Sequence, residues 1–143
     1  MIQTDRIVEI MGGPGTLGRH IHSIDELERT VAAGLPKSVL RNVVDRVYTE
    51  PRDARRALYR VVPEATFKRR VLLSPQESGR TERLARVIAS AEHAWNDQDD
   101  AREWLMRSHP ELAGKTPMEA ATTELGARQV EEILDRLFHG LPA

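Results

Sequence analysis

Cysteine is absent from the sequence, and so is any long hydrophobic run. Without cysteine, the chain can form neither a disulfide scaffold nor a metal site built on thiolates. No apolar run approaches the roughly 18 residues that would span a bilayer, and the N-terminus lacks the basic region and apolar core of a secretion signal. We therefore expect a soluble, unexported protein with no membrane partner, for which the cytoplasm is the best-fitting location.

The motifs of common catalytic and metal sites are also missing. No G-x-S-x-G elbow occurs, and the Ser, His and Asp residues show no arrangement that points to a nucleophile. The five histidines include no i, i+4 pair on a predicted helix, and the neighbouring His20 and His22 have no evident third ligand. We expect no catalytic residues, no metal and no cofactor in this chain.

One glycine pattern does resemble a nucleotide-binding loop. Gly13, Gly15 and Gly18 have the G-x-G-x-x-G spacing. A dinucleotide site needs a second strand about 20 residues further on, but that region has helical periodicity. A Walker loop needs Lys and then Ser or Thr, where this chain has Arg19 and His20. We interpret the pattern as an ordinary loop within a loop-rich N-terminal segment, residues 1–23.

Acidic and basic residues divide unequally along the chain, although the formal net charge is only −1. Residues 1–73 hold 13 Lys and Arg against 9 Asp and Glu, whereas residues 74–143 hold 8 against 13. The basic excess is concentrated in residues 41–70, with nine basic and four acidic side chains. A basic half beside an acidic half suggests two partners, one of them nucleic acid; a solvated helical surface is the alternative.

Helical periodicity in nearly every segment predicts an all-α fold. The length of 143 residues suits one compact domain or two small helical units that share a core. In the N-terminal half, Ser23 opens a helix with a capping box and Gly34 ends it. Pro36 suits the first turn of a second helix, which ends at Pro51. Two shorter helices follow, and the second of these begins at Pro63.

The C-terminal half shows equally clear start and stop signals. Ser74 opens the longest helix with a capping box, and residues 96–100 form a polar connection to the next one. Thr116 opens a short helix that we expect to end near Gly126. The last helix ends where Gly140 occupies the position of a C-cap glycine.

The basic segment has the layout of a helix-turn-helix, in which one helix crosses the DNA backbone and a second enters the major groove. A helix with inward-facing Ala57 and Leu58 is joined by a tight connection to a short basic helix. Arg and Lys suit phosphates and guanine edges, and Thr can reach either phosphate or base. The predicted DNA-binding residues are Arg55, Arg56, Thr66, Lys68, Arg69 and Arg70. The alternative is a basic helical pair that only packs.

The second half resembles a known family. Its features are Leu73, Ser74 and Ser78 with Arg83 and Leu84; Ala101, Trp104 and Leu105; and Leu112, Gly114, Pro117, Glu124, Gly126, Val130, Leu134 and Gly140. They resemble the C-terminal toxin-binding domain of the Xre/MbcA/ParS family of type II antitoxins, the partners of RES-domain toxins. Upstream, "GLPKSVL" and "TFKRR" look like the family's Xre-type helix-turn-helix, although the turn "YRVVPEAT" lacks the glycine of related chains.

The resemblance implies a domain order and two partners. Residues 24–73 would form the Xre-like helix-turn-helix domain, and residues 74–143 a small helical toxin-binding domain. RES-domain toxins act on NAD, by degrading it or by transferring its ADP-ribose, so the NAD chemistry would belong to the partner. The chain would neutralise the toxin by binding it and would bind operator DNA to regulate its own operon. A homodimer is expected, because such proteins bind paired half-sites.

The end of the last helix is the predicted toxin contact, since a helix end and its tail can block a catalytic cleft. Buried aromatics and arginines dominate most interface energies. The predicted contacts are Arg128, Glu132, Arg136, Phe138, His139, Gly140, Leu141, Pro142 and Ala143. Alternatively, Phe138 closes the core and the tail frays.

Other classes of function remain open at this point. A stand-alone helix-turn-helix repressor would bind its operator strongly, with salt dependence, and would have no stable protein partner. A structural helical adaptor would do neither. An enzyme is the remote alternative, which is tested by asking whether the purified chain alone consumes NAD.

Overall fold

A computed structural model describes residues 3–140 of the chain, and within them the regular structure is helical. The helices are α1 (Thr4–Met11), α2 (Gly13–Leu17), α3 (Ile24–Ala33), α4 (Lys37–Val47), α5 (Pro51–Val61), α6 (Glu64–Arg69), α7 (Pro75–Trp95), α8 (Gln98–Leu105), α9 (Pro117–Ala120) and α10 (Glu124–Phe138), with a 3-10 turn at Pro110–Leu112. One isolated antiparallel bridge joins Pro36 to Leu72. The predicted all-α fold is confirmed.

α7 is the central helix of the molecule. It packs against α1, α3, α4, α5, α8 and α10. Ala85, Val87, Ile88 and Ala91 on this helix have no exposed surface. The buried apolar side chains of the N-terminal and C-terminal halves form one cluster. The two halves therefore share a single core, and α7 supplies surface to both of them.

Helix caps agree closely with the sequence signals. Capping boxes are present at Ser74 and at Thr116, as predicted. At Ser23 the side chain accepts from the Glu26 N–H at 3.1 Å, but the reciprocal bond that would complete a box is not formed. Capping side chains satisfy N–H groups that have no partner within the helix, so they fix where each helix begins.

The N-terminal segment differs from the expectation of a loop-rich stretch. α1 buries Ile7, Val8, Ile10 and Met11, and the glycine pattern of residues 13–18 falls in α2 and its C-cap. Those four apolar residues lie on one face of a helix, and burying them against the core stabilises helical backbone in this short segment. The motif is therefore part of a short helix and its C-cap rather than a loop.

The helix predicted to run from Thr116 to near Gly126 is in fact two helices. α9 ends at Ala120, and α10 begins after Thr123, whose Oγ1 accepts from the Gly126 N–H at 3.0 Å. Gly126 lies in the first turn of α10, where an added Cβ would stand 1.8 Å from the Ala120 carbonyl oxygen. The glycine therefore permits a close approach of two helices instead of ending one.

The polar connection of residues 96–100 is also partly helical. Asp97 caps α8 by accepting from the Asp99 N–H at 2.8 Å, and α8 begins at Gln98. Acidic residues stabilise a helix N-terminus, so this polar stretch suits a first turn. Within residues 3–140, no helix combines the length and the apolar character needed to cross a membrane.

Candidate functional site

An open groove of about 830 Å³ lies between α3, α7 and α10. Its lining combines apolar side chains with a largely acidic set of charged ones. The apolar residues are Ile7, Ile24, Leu27, Val31, Ala94, Leu134 and Phe138; the charged and imidazole-bearing ones are Glu28, Glu82, Glu124, Glu131, Glu132, Asp135, Arg86, Arg128, His93 and His139. This mixture of apolar and charged residues is typical of a protein-binding surface.

Helical spacing explains how the groove forms. On α10, Arg128, Glu131, Asp135 and Phe138 follow one another at intervals of three or four residues, which places them along one face of the helix. On α3, Ile24 and Glu28 stand one turn apart. The side chains of Leu27 and Leu134 are almost fully buried and form the apolar floor between these two helices.

The charges of the groove are predominantly negative, since six carboxylates face two guanidinium groups. Arg86 neutralises part of this charge: its Nε donates to Glu131 Oε1 at 2.7 Å, and its Nη1 lies 3.3 Å from Glu82 Oε1. Burial raises the pKa of Glu82 above its ordinary value, and the neighbouring Glu131 adds to this effect against the opposing charge of Arg86. The groove thus attracts cationic groups.

Phe138 is an exposed apolar side chain at the end of α10. Half of its surface (50%) is accessible, and its ring stacks on that of His93 with 4.6 Å between ring centroids. His139 lies at the edge of the same ring, and its Nε2 is 3.5 Å from Asp135 Oδ1. The alternative in which Phe138 closes the core does not match this exposure.

The predicted toxin-binding residues are only partly brought together. Arg128, Glu132, Phe138 and His139 line the groove. Arg136 is engaged elsewhere, because its Nη2 donates to both carboxylate oxygens of Glu111 at 2.8 and 2.7 Å. Gly140 directly follows the C-cap residue of α10 and has a left-handed φ of 72°. Leu141, Pro142 and Ala143 lie outside the described residues.

Sequence reasoning missed the second wall of the groove, which α3 supplies. Ile24 directly follows the N-cap Ser23, and 63% of its surface is accessible. Glu28 on the same helix lines the groove and has no ionic partner among the described residues. A large apolar residue directly after the N-cap, followed one turn later by a carboxylate, was the available signal.

The predicted DNA-binding residues lie on α5 and α6, which are joined through Val62 and Pro63. Arg55, Arg56, Lys68 and Arg69 are exposed. Lys68 pairs with Glu64 at 3.1 Å, and Arg69 Nη2 is 3.5 Å from the Thr66 hydroxyl oxygen. These contacts are local and solvent-exposed, so they leave the cationic groups accessible to a phosphate.

Arg70 is held differently from the other cationic residues. Its Nη2 lies 3.3 Å from Glu77 Oε2, and the Glu77 side chain is buried. The Nε of Arg70 is also buried and has no hydrogen-bond partner. This geometry ties Arg70 to the start of α7, and its contact with DNA stays a prediction.

Two further cations adjoin α6. The buried Phe67 ring contacts Tyr59 edge-on, and Lys37 Nζ lies 4.9 Å from the ring centroid while donating to the Phe67 carbonyl at 3.2 Å. The Arg41 guanidinium lies 5.5 Å from the same ring. Both cations come from α4, and cation–π contact fixes them beside the predicted recognition helix. Their i, i+4 spacing on α4 was the signal in the sequence.

Residues 3–140 contain no cluster of three His, Asp or Glu side chains arranged to hold a metal ion. The rings of His20 and His22 stack on each other with 5.9 Å between centroids.

Two family models match the sequence. The antitoxin Xre-like helix-turn-helix domain matches residues 26–86, and the antitoxin Xre/MbcA/ParS C-terminal toxin-binding domain matches residues 90–140. The chain belongs to the Xre/MbcA/ParS antitoxin family. The resemblance predicted from the sequence is confirmed, as is the order of the two regions. The helix-turn-helix match continues into α7, so the two regions meet within this helix rather than before it.

Two curated relatives of this chain are both named antitoxin Xre. The antitoxin Xre of Pseudomonas putida strain KT2440 is 34% identical over 84 residues, which cover 56% of this chain and 53% of that relative. The chain thus spans about half the length of that protein. The antitoxin Xre of Photorhabdus laumondii subsp. laumondii is 26% identical over 147 residues, which cover 98% of this chain and 93% of the relative.

Proposed function

We propose that this chain is the antitoxin of a type II toxin–antitoxin pair and that it neutralises a RES-domain, NAD-consuming toxin by binding it in the cytoplasm. The observation that carries the proposal is the exposed Phe138 at the end of α10, inside the region matched by a toxin-binding domain. The RES identity of the toxin rests on the resemblance of residues 73–140. The NAD reaction belongs to the toxin, and this chain is not an enzyme.

Neutralisation by binding needs an exposed anchor that a partner can bury. Half of the Phe138 surface is accessible, and burying an aromatic side chain at an interface is worth far more than burying a rim residue. Arg128, Glu132 and His139 line the same groove and add polar groups that would fix the orientation of a partner. This combination supports the end of α10 as the toxin contact.

Growth of cells that carry the toxin tests this contact. The adjacent reading frame is expressed alone, with the full chain, and with a chain that ends at Leu137. We expect growth arrest with the toxin alone, recovery with the full chain, and arrest again with the truncated chain. Operator binding by the truncated chain controls for its folding. Growth in the presence of the truncated chain contradicts the α10 contact.

We further propose that the chain represses its own operon by binding operator DNA as a homodimer. The match to an antitoxin Xre-like helix-turn-helix domain and the exposed cations on α5 and α6 support this role. The phosphate contacts would come from Arg55, Arg56, Lys68 and Arg69, and Thr66 would reach a base or a phosphate. A dimer would bind half-sites about one helical turn apart.

Binding to the DNA upstream of the gene, compared with unrelated DNA of equal length, tests this second role. We expect preference for the upstream sequence, strong salt dependence and a dimer in sedimentation at binding concentrations. Equal affinity for both DNAs contradicts operator recognition. Operator binding without any stable protein partner favours the alternative of a stand-alone repressor.

A further inference from the structure

The groove extends beyond the region that matches the toxin-binding domain. α10 and the end of α7 fall within residues 90–140, but α3 lies outside them, and all of α3 except its first two residues falls in the helix-turn-helix match. We propose that the toxin inserts a basic amphipathic helix into this groove and that α3 is the second wall of the toxin-binding site. The proposal rests on the toxin-binding function above and adds both the location of the site and the chemistry of its occupant.

The apolar surface of the groove favours a helix as occupant. Ile24 from α3 is 63% exposed and Phe138 from α10 is 50% exposed, and both line the same groove above an apolar floor. Two helices that flank an apolar cleft are the usual receptor for the apolar face of a third helix. Ile24 and Phe138 would be buried only when such a helix is bound.

Charge determines which kind of helix fits. Glu28 on α3 and Glu132 on α10 line the groove, and neither has an ionic partner among the described residues. The carboxylates of Glu82 and Glu131, in contrast, are already bound to Arg86. Arg or Lys residues flanking the apolar stripe of the partner would pair with the two unpartnered carboxylates. The same negative potential disfavours nucleic acid in the groove.

A matched pair of apolar substitutions tests the α3 wall. Ile24→Glu and Leu125→Glu each place a carboxylate in the first turn of a helix, where it suits the helix dipole, and each replaces an exposed apolar side chain. Only Ile24 lines the groove. We expect Ile24→Glu to weaken toxin binding at least about tenfold and Leu125→Glu to change it less than about twofold.

A matched pair of charge reversals tests the basic partner. Glu28→Lys alters the groove outside residues 90–140, whereas Glu103→Lys alters the exposed surface of α8 inside them. We expect Glu28→Lys to weaken binding about tenfold or more and Glu103→Lys to leave it unchanged. The dissociation constant of the unaltered chain and the toxin should rise with NaCl concentration. This rise should be smaller for the double variant Glu28→Lys with Glu132→Lys.

The outcomes separate this inference from the proposed function. If the unaltered chain does not bind the purified toxin, the proposed function fails. If it binds and neutralises the toxin while Ile24→Glu and Glu28→Lys bind equally well, the antitoxin role stands and the α3 wall is wrong. If these variants change the oligomeric state in sedimentation but not toxin binding, a second copy of this chain occupies the groove, and the proposal is overturned.

Discussion

The guanidinium of Arg46 on α4 binds both carboxylate oxygens of Glu92 on α7, with Nε–Oε2 and Nη2–Oε1 distances of 2.8 Å. Hydrogen bonding to Glu92 raises the pKa of Arg46 against the opposing effect of burial. Arg46 lies in the helix-turn-helix match and Glu92 in the toxin-binding match. The two regions are therefore joined by a bidentate ion pair in addition to their shared core.

Breaking this ion pair should destabilise the whole chain. Glu92 is only 13% exposed at its side chain, so Glu92→Gln leaves Arg46 charged and partly buried without its partner. We expect a loss of about 1.5–3 kcal/mol in the free energy of unfolding, measured with urea. The control is Glu103→Gln, which removes the exposed pair with Arg107 and should cost less than about 0.5 kcal/mol. Equal losses for the two variants would show that Arg46–Glu92 is an ordinary surface pair.

The packing of α9 on α10 makes Gly126 intolerant of even one added methyl group. The Cβ of Gly126→Ala would stand 1.8 Å from the Ala120 carbonyl oxygen, which is backbone and has to move. We expect the free energy of unfolding, measured by thermal denaturation, to fall by about 2 kcal/mol or more. Gly79→Ala in α7 is the control, because its Cβ would meet nothing closer than Arg83 Nη1 at 3.7 Å. That change should stabilise the chain by about 0.5–1 kcal/mol. If Gly126→Ala leaves the free energy of unfolding unchanged, the close approach of α9 and α10 is contradicted.

Stability should depend on the charge of Glu77 at the start of α7. Burial acts to raise the pKa of Glu77, but hydrogen bonds from the Ser74 backbone and the charge of Arg70 outweigh it and hold the pKa below its ordinary value. A carboxyl with a lowered pKa contributes stability above the pKa of the unfolded chain, about 4.3 for Glu, and loses it as pH falls through the folded value.

Glu77→Gln tests this charge, because Gln can still complete the capping box. We expect the variant to be less stable than the unaltered chain at pH 7, with the difference shrinking as the pH falls from about 5 to about 3. Urea unfolding at several pH values measures it. A difference that is constant over this range would mean that hydrogen bonding alone, and not charge, makes Glu77 important.

Arg69 and Arg70 should have separate effects, although they are neighbours in the sequence. Arg69 is exposed on α6, so Arg69→Ala should weaken operator binding and reduce the slope of log K against log salt by about 1. Arg70 pairs with the buried Glu77, so Arg70→Ala should lower the melting temperature and leave the salt slope unchanged. If both variants lose operator binding with no change in melting temperature, Arg70 contacts the DNA and its pairing with Glu77 is not what makes it important.

Local sequence signals predicted the elements whose structure is determined locally. Ser74 and Thr116 marked true helix starts because a capping side chain acts within three residues of itself. The helix pair of α5 and α6 was predicted for the same reason, since proline and apolar spacing suffice to place both helices. The prediction failed at Gly126. The sequence pattern indicates the end of a helix there, but the packing of α9 against α10 requires a glycine inside a helix.

The groove could not be predicted, because it depends on contacts between distant parts of the chain. Phe138 and Arg128 were identified from α10 alone, but Ile24 faces them only because α3 packs on α7. The partner of Arg70 was missed for a similar reason: a cation in a basic run gives no sign that a carboxylate on the next helix will bind it. Helical periodicity shows which face is apolar, and only the packed structure shows what that face meets.

The central claim is that this chain protects cellular NAD by binding a toxin. The most direct measurement is cellular NAD after expression of the adjacent reading frame, alone and together with the unaltered chain or with the variant Phe138→Ala. We predict that NAD collapses with the toxin alone, recovers with the unaltered chain and stays low with Phe138→Ala, which should fold because Phe138 is half exposed. An NAD level that never falls when the toxin is expressed alone would contradict the account.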